Sequence, residues 1–181
     1  GIPPHERSRR VEQALKDYAT YSGLRSVILR YFNAAGADFE GRIGEWHEPE
    51  THAIPLAIDA ALGRRAGFKV FGNDYETRDG TCVRDYIHVV DLARGHVCAI
   101  RKLETGCGLF ICNLGTGKGY SVLDVVKAFE AASGQPVPYR IRARRQGDVA
   151  ACYADPRLAI QLLGWRSEEH TSELQSRPHL V

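Results

Sequence analysis

Methionine does not occur among the 181 residues. A natural reading frame begins with one, so the expectation is that the start of the protein lies outside this sequence. Paired cysteine spacing is also missing: the thiols stand at Cys82, Cys98, Cys107, Cys112 and Cys152, an odd number with no C-x-x-C among them. That pattern argues against a disulfide framework and against a zinc site, so reduced thiols and no bound metal are expected. No apolar run approaches the roughly 18 residues that a membrane helix needs, and no charged-then-apolar leader opens the chain. A cytoplasmic protein without a membrane partner is the expectation. Large net charge is lacking too: 24 Lys and Arg against 22 Asp and Glu leave +2, too little to argue for nucleic acid or a lipid surface. Arg140, Arg142, Arg144 and Arg145 nevertheless crowd one segment, so any anionic partner would be met locally.

What is present fits a soluble globular chain, because a 44% hydrophobic share supports a buried core and disfavours disorder. Val11, Ala14, Leu15 and Tyr18 recur at helical spacing over Ser8 to Tyr21, and Ser26 to Tyr31 follows as a strand-like apolar run. A Gly-rich, acidic loop from Gly36 to Pro49 leads to a helix near His52 to Arg64, with Ile54, Ile58, Ala61 and Leu62 on its apolar face. Phe68 to Phe71 and Leu109 to Leu114 read as strands. Asp91 is placed to cap a helix carrying Ala93, Val97 and Ile100, and Ser121 with Asp124 forms a capping box before Val122, Val125, Val126 and Phe129. Asp155 and Pro156 open a last helix that Gly164 can end. Helices alternating with short buried strands predict an α/β fold whose strand order the sequence leaves open. From Arg166 the stretch RSEEHTSELQSRPHLV is polar and aperiodic, and it reads as a translated sequencing adapter. The expected organisation is therefore one native region over 1–165 and a non-native tail over 166–181.

Two segments carry possible chemistry. RYFNAAGA, from Arg30 to Ala37, is by itself a strand ending in a turn-forming Asn. VFGNDYETRDGTCVRDYIHVVDLARGHV, from Val70 to Val97, is more specific, combining an aromatic at a strand end, a Gly- and Asp-rich turn and an Arg in the next strand. With PETHAIPLAIDAALGRR, NLGTGKGYSVLDVV and RRQGDVAACYADP, these blocks resemble, in order and spacing over about residues 11–165, the UDP-glucose 4-epimerase family of the extended short-chain dehydrogenase/reductases.

The resemblance implies a C-terminal part of an NAD-binding Rossmann-fold epimerase, including its smaller substrate-binding region, with the N-terminal NAD-binding half missing. It implies UDP-glucose and UDP-galactose as substrates, NAD as cofactor and a homodimeric parent. Phe32 then lies near the nicotinamide, Asn33 bonds the sugar diphosphate, and His52 and Ala53 contact the nucleotide sugar, where many members have Asn in place of this His. Phe71 matches the aromatic at the uracil, with Lys69 and Val70 supplying backbone to the base edge. Arg84 and Arg145 match the diphosphate arginines, Asp148 the acid at the ribose, and Cys152 a position beside the sugar's 2-substituent. A small residue at 152 implies room for UDP-N-acetylhexosamines. The chemistry agrees: a planar guanidinium offers two parallel hydrogen bonds to a phosphate, an aromatic face stacks on uracil, and a carboxylate accepts from a ribose hydroxyl.

Both catalytic positions depart from the family's pattern. Family members use Y-x-x-x-K to move the proton of the sugar's 4-hydroxyl while NAD takes its hydride; here HERSR puts His5 and Arg9 at those positions, with the spacing to Val11 one residue short. Arg9 cannot exchange protons near neutrality. The turn Gly115, Gly117, Gly119 follows a strand but is G-x-G-x-G, not G-x-G-x-x-G, and reads as structural. The rival readings are a sister nucleotide-sugar dehydratase or decarboxylase, a non-catalytic nucleotide-sugar-binding module, and an RNA-binding strip at Arg140 to Arg145, which lacks accompanying stacking aromatics.

Overall fold

The computed structural model describes residues 4–168. Its elements are α1 (Pro4–Ser22), β1 (Val27–Tyr31), β2 (Asn33–Ala35), α2 (Ala53–Ala61), β3 (Phe68–Phe71), β4 (Val83–Arg84), β5 (Tyr86–His88), α3 (Val89–Glu104), β6 (Phe110–Leu114), β7 (Tyr120–Ser121), α4 (Val122–Ser133), β8 (Tyr139–Arg142), β9 (Ala151–Cys152) and α5 (Arg157–Leu163). The α/β expectation holds, and the pairings that the sequence left open are mostly parallel. β1 runs beside β6, β2 beside β5 and β3 beside β8, while β4 lies between antiparallel β7 and parallel β9.

Helix ends follow local chemistry where the signal is local. Ser121 and Asp124 close the expected capping box at α4, each side chain accepting from the other's backbone N–H at 3.0 Å. Gly164, in the left-handed region, ends α5 as expected. Asp91 corrects its assignment. The cap of α3 is His88, whose Nδ1 accepts from Val90 N at 3.2 Å. Asp91 lies one turn inside, almost fully buried, and its Oδ2 accepts from Ser167 Oγ and Glu168 N. Ser167 and Glu168 belong to the stretch expected to be non-native, and the remainder of that stretch, 169–181, lies outside the described residues.

Two apolar cores hold the layers together. One joins Ala57 and Ala60 of α2 to Phe68 and Val70 of β3, Val126 of α4 and Val137. The other gathers Ile87, Leu92, Cys112, Leu114, Ala159 and Trp165, with the Trp165 indole N–H donating to the Asp91 carbonyl at 2.9 Å. Two of the helix faces expected from periodicity are corrected here. α2 buries Ala57 and Ala60, with Ala61 of the expected face packed beside them, while Ile54 and Ile58 stay half-buried and Leu62 is exposed, because AIPLAIDAA is apolar nearly all round and has little polar side to orient it. On α3 the stripe of Ala93, Val97 and Ile100 faces outward, and Leu92, Gly95 and Ala99 face the strands.

Gly95 explains the choice on α3. A Cβ at this position would stand 2.6 Å from Cδ1 of Leu114, which is wholly buried on β6, so the missing side chain is what lets the helix approach. Gly95→Ala is expected to lower unfolding free energy by about 1–2 kcal/mol, overpacking outweighing the roughly 1 kcal/mol that Ala returns in helix propensity. Urea denaturation measures it, and an unchanged or raised midpoint would contradict this packing.

Candidate functional site

The path of the chain brings four side chains to one place. β3 ends at Phe71, and the segment that follows reverses through a turn in which Tyr75 N donates to Gly80 O at 2.9 Å. Asp79 clasps this turn by accepting from Thr81 N and Thr81 Oγ1, and Gly80 is obligatory because a Cβ there would lie 2.1 Å from the Asn73 carbonyl oxygen. The chain returns as β4, carrying Arg84. β8 lies along β3 and β9 along β4, so the loop joining β8 to β9 must cross from one pair to the other, and it carries Arg145 and Asp148.

The four groups form a linked series. Arg145 Cζ sits 4.6 Å from the Phe71 ring centroid, within cation–π range. Its Nε donates to Asp148 Oδ2 at 3.0 Å, and the other carboxylate oxygen stands 3.7 Å from Arg84 Nη2. Arg84 is fixed further by Nη1, which donates to the carbonyls of Val83 and Val149 at 2.8 and 2.9 Å. Arg84 and Asp148 side chains are each 20% exposed, whereas Arg145 is 59% exposed. Two permanent cations around one carboxylate leave a local positive excess, with donors still open to an anion.

The other expected site residues group around this series unevenly. Cys152 is the register partner of Arg84 and is exposed; Lys69 and Val70 precede Phe71 on β3, Lys69 exposed and Val70 buried. Asn33 is exposed at the start of β2, and its side-chain amide donates to the Asp85 carbonyl at 2.9 Å. Phe32, half-buried, stands just before it. His52 and Ala53 open α2, and the His52 ring is taken up by carboxylates of its own loop, Nδ1 lying 2.9 Å from Glu50 Oε1 and 3.1 Å from Glu45 Oε1. His5 and Arg9 both fall inside α1, which starts earlier than the expected Ser8. Four residues apart, they share a helix face. Arg9 is exposed, and the His5 side chain lies outside the described residues.

The basic strip breaks up. Arg140 and Arg142 are exposed on β8, while Arg144 stacks 4.0 Å over Tyr75 and pairs with Asp74, whose carboxyl the guanidinium holds below its ordinary value. No continuous row of free cations remains for an RNA backbone.

Asp85 is the functional organiser that sequence reasoning missed. Fully buried, its carboxylate accepts from Thr116 N, Thr116 Oγ1, Gly117 N and Ala154 N at 2.7–3.1 Å. It thereby occupies the Thr116 and Gly117 amides of the Gly115–Gly119 turn, which agrees with the structural reading of that turn. The signal was its place directly after Arg84 in a strand-like run. Also missed was a cluster of Glu45, His47, Glu50 and His52, whose E-x-H-x-x-E-x-H spacing was legible.

Known proteins answer to this arrangement. The profile of the NAD dependent epimerase/dehydratase family matches residues 7–115. The chain belongs to that family. It is 60% identical over 174 residues to a UDP-glucose 4-epimerase of Rhizobium leguminosarum bv. trifolii, covering 96% of this chain and 53% of that protein. Among solved structures it is similar to UDP-glucose 4-epimerase from Brucella ovis in complex with NAD, at 52% identity and a TM-score of 0.85, over 92% of this chain and 51% of that one. It is likewise similar to UDP-glucose-4-epimerase from Stenotrophomonas maltophila with bound NAD and formylated UDP-arabinopyranose, at 42% identity and a TM-score of 0.90, over 98% of this chain and 54% of that one. The chain spans about half the length of the curated relatives it matches. Among the described residues no helix is long and apolar enough to cross a membrane.

Proposed function

We propose that this chain is the nucleotide-sugar-holding part of a UDP-glucose 4-epimerase, an isomerase that interconverts UDP-glucose and UDP-galactose. The observation that carries the reading is the convergence of Phe71 and Arg84 with Arg145 and Asp148, two pairs from segments far apart in sequence, into one linked series. The names of the relatives support the substrate class.

In this reading Phe71 stacks on the uracil and the β3 backbone at Lys69 and Val70 meets its edge. Arg84 and Arg145 each meet a phosphate, Asp148 turns to a ribose hydroxyl, and Asn33, His52 and Ala53 reach the sugar side. Asp148 holds both guanidinium groups before ligand arrives, which lowers the ordering entropy of binding. These groups grip the UDP and leave the hexose free to turn over, so they position the reactant and perform no bond chemistry. NAD, when bound, supplies the hydride acceptor; of this chain's residues Phe32 fits its nicotinamide end, and the Gly115–Gly119 turn, whose Thr116 and Gly117 amides are already bonded to Asp85, does not fit its pyrophosphate. Cys152, small and exposed beside Arg84, favours acceptance of UDP-N-acetylhexosamines as well.

A chimera tests the reading. Residues 11–165 are joined to the complementary half of the Rhizobium relative, including that protein's own Y-x-x-x-K segment. Interconversion of UDP-glucose and UDP-galactose is expected, together with turnover of UDP-N-acetylglucosamine. A folded chimera that retains NAD and binds UDP without turnover would instead favour a non-catalytic binding module, and release of water or carbon dioxide would favour a dehydratase or decarboxylase.

A further inference from the structure

We infer that Glu45, His47, Glu50 and His52 form a binding site for a divalent transition-metal cation, zinc being the best match. One ligand atom from each of the four lies within 4.8 Å of the others. The cluster stands in the loop before α2 and shares no residue with the arginine series; it shares His52 with the proposed sugar contacts, so its test acts through Glu45 and His47.

The separations are those of a coordination shell. His47 Nδ1 lies 3.2 Å from Glu45 Oε1 and 3.8 Å from Glu50 Oε2, while His52 Nδ1 lies 3.1 Å from Glu45 Oε1 and 2.9 Å from Glu50 Oε1. A tetrahedral zinc with ligands about 2.1 Å away has ligand-to-ligand edges of about 3.4 Å, so the four atoms, which lie within 4.8 Å of one another with Glu50 turning a different oxygen to each ring, close on an ion by rotation of these side chains. Imidazole and carboxylate alternate around the ring of contacts, two neutral nitrogens and two negative oxygens, which balances a doubly charged cation.

Hydrogen bonding alone accounts poorly for this convergence. An imidazole Nδ1 carries at most one proton, yet His52 Nδ1 faces two carboxylates, and Glu45 Oε1 faces both rings. A central cation satisfies all four lone pairs at once. The carboxylate of Glu50 is already oriented, because its Oε1 accepts from the backbone N–H of Thr51 at 2.6 Å and of His52 at 2.7 Å. Such supporting bonds are what fix a ligand's direction in metal sites. Glu50 is 16% exposed while the two rings are about half exposed, leaving a path for a hydrated ion.

The donor set selects the metal. Calcium and magnesium favour all-oxygen shells, whereas mixed imidazole and carboxylate ligands suit zinc, cobalt, nickel and copper.

The chain is stripped with a chelator and titrated with cobalt(II), reading the visible band of a tetrahedral ion, and then with zinc as competitor. One saturable site is expected, with zinc displacing cobalt and calcium failing to do so. His47→Gln and the double variant Glu45→Gln, His47→Gln should each weaken binding at least about tenfold. Both changes lie on an exposed loop, and far-UV circular dichroism verifies that the fold is kept. Arg145→Ala should leave the metal affinity unchanged. Absence of saturable cobalt or zinc binding by the folded chain overturns the inference, as does equal affinity in the His47 variants, which would locate the ion on the cysteines or elsewhere.

Discussion

Asp85→Ala is expected to destabilise the chain by about 3–5 kcal/mol, the largest effect of any single change considered. The carboxylate is fully buried and accepts three backbone N–H groups, from Thr116, Gly117 and Ala154, besides the Thr116 hydroxyl. Each buried donor left without a partner costs about 1–3 kcal/mol, and the cavity admits at best partial rescue by water. Asp85→Asn keeps the shape but turns an N–H₂ toward donors, so it should fall between the two. Against a total stability of about 5–15 kcal/mol typical of small domains, the alanine variant should unfold at far lower urea. A loss below about 1 kcal/mol would mean that the turn holds without its acceptor.

Arg145→Ala is expected to weaken UDP binding about ten- to hundredfold, the range for one charge-assisted hydrogen-bonding group. Arg145 is the more informative of the pair because it is 59% exposed, whereas Arg84 also ties down the Val83 and Val149 carbonyls, so its loss would mix binding with stability. Arg145→Lys should recover part of the affinity through charge but not the paired geometry of the guanidinium. Arg142→Ala, on the exposed β8 strand, serves as the control and should change little. Titration calorimetry at two salt concentrations measures both affinity and its screening. An Arg145→Ala chain binding UDP within twofold of the parent would detach this side chain from the ligand.

What the sequence revealed depended on the range of the signal. The Ser121–Asp124 box is a three-residue matter and came out as read. The cap of α3 did not, because an imidazole acceptor is a rarer cap than a carboxylate and Asp91 stood only one turn away. The buried faces of α2 and α3 were misjudged for opposite reasons. α2 is apolar on nearly every side, while on α3 a glycine marks the close approach and the larger Val97 and Ile100 point outward. Strand partners are non-local and were not legible. That Phe71, Arg84, Arg145 and Asp148 should meet came from the resemblance; their spacing in the chain gives no hint of it. The Glu45, His47, Glu50 and His52 cluster contains no cysteine, the residue whose paired spacing makes a metal site most legible in a sequence.

Arg84 and Asp85 are consecutive, yet one reaches toward the cationic series and the other is sealed inside. The pleat of the chain alternates direction at every residue, so a slip of one position would present an acid where anions are to be met and bury a guanidinium among backbone amides. Ligand recognition and sheet assembly are thus locked to a common phase at this dipeptide. Insertions or deletions between the Asp79 turn and Arg84 should be far less tolerated than substitutions there.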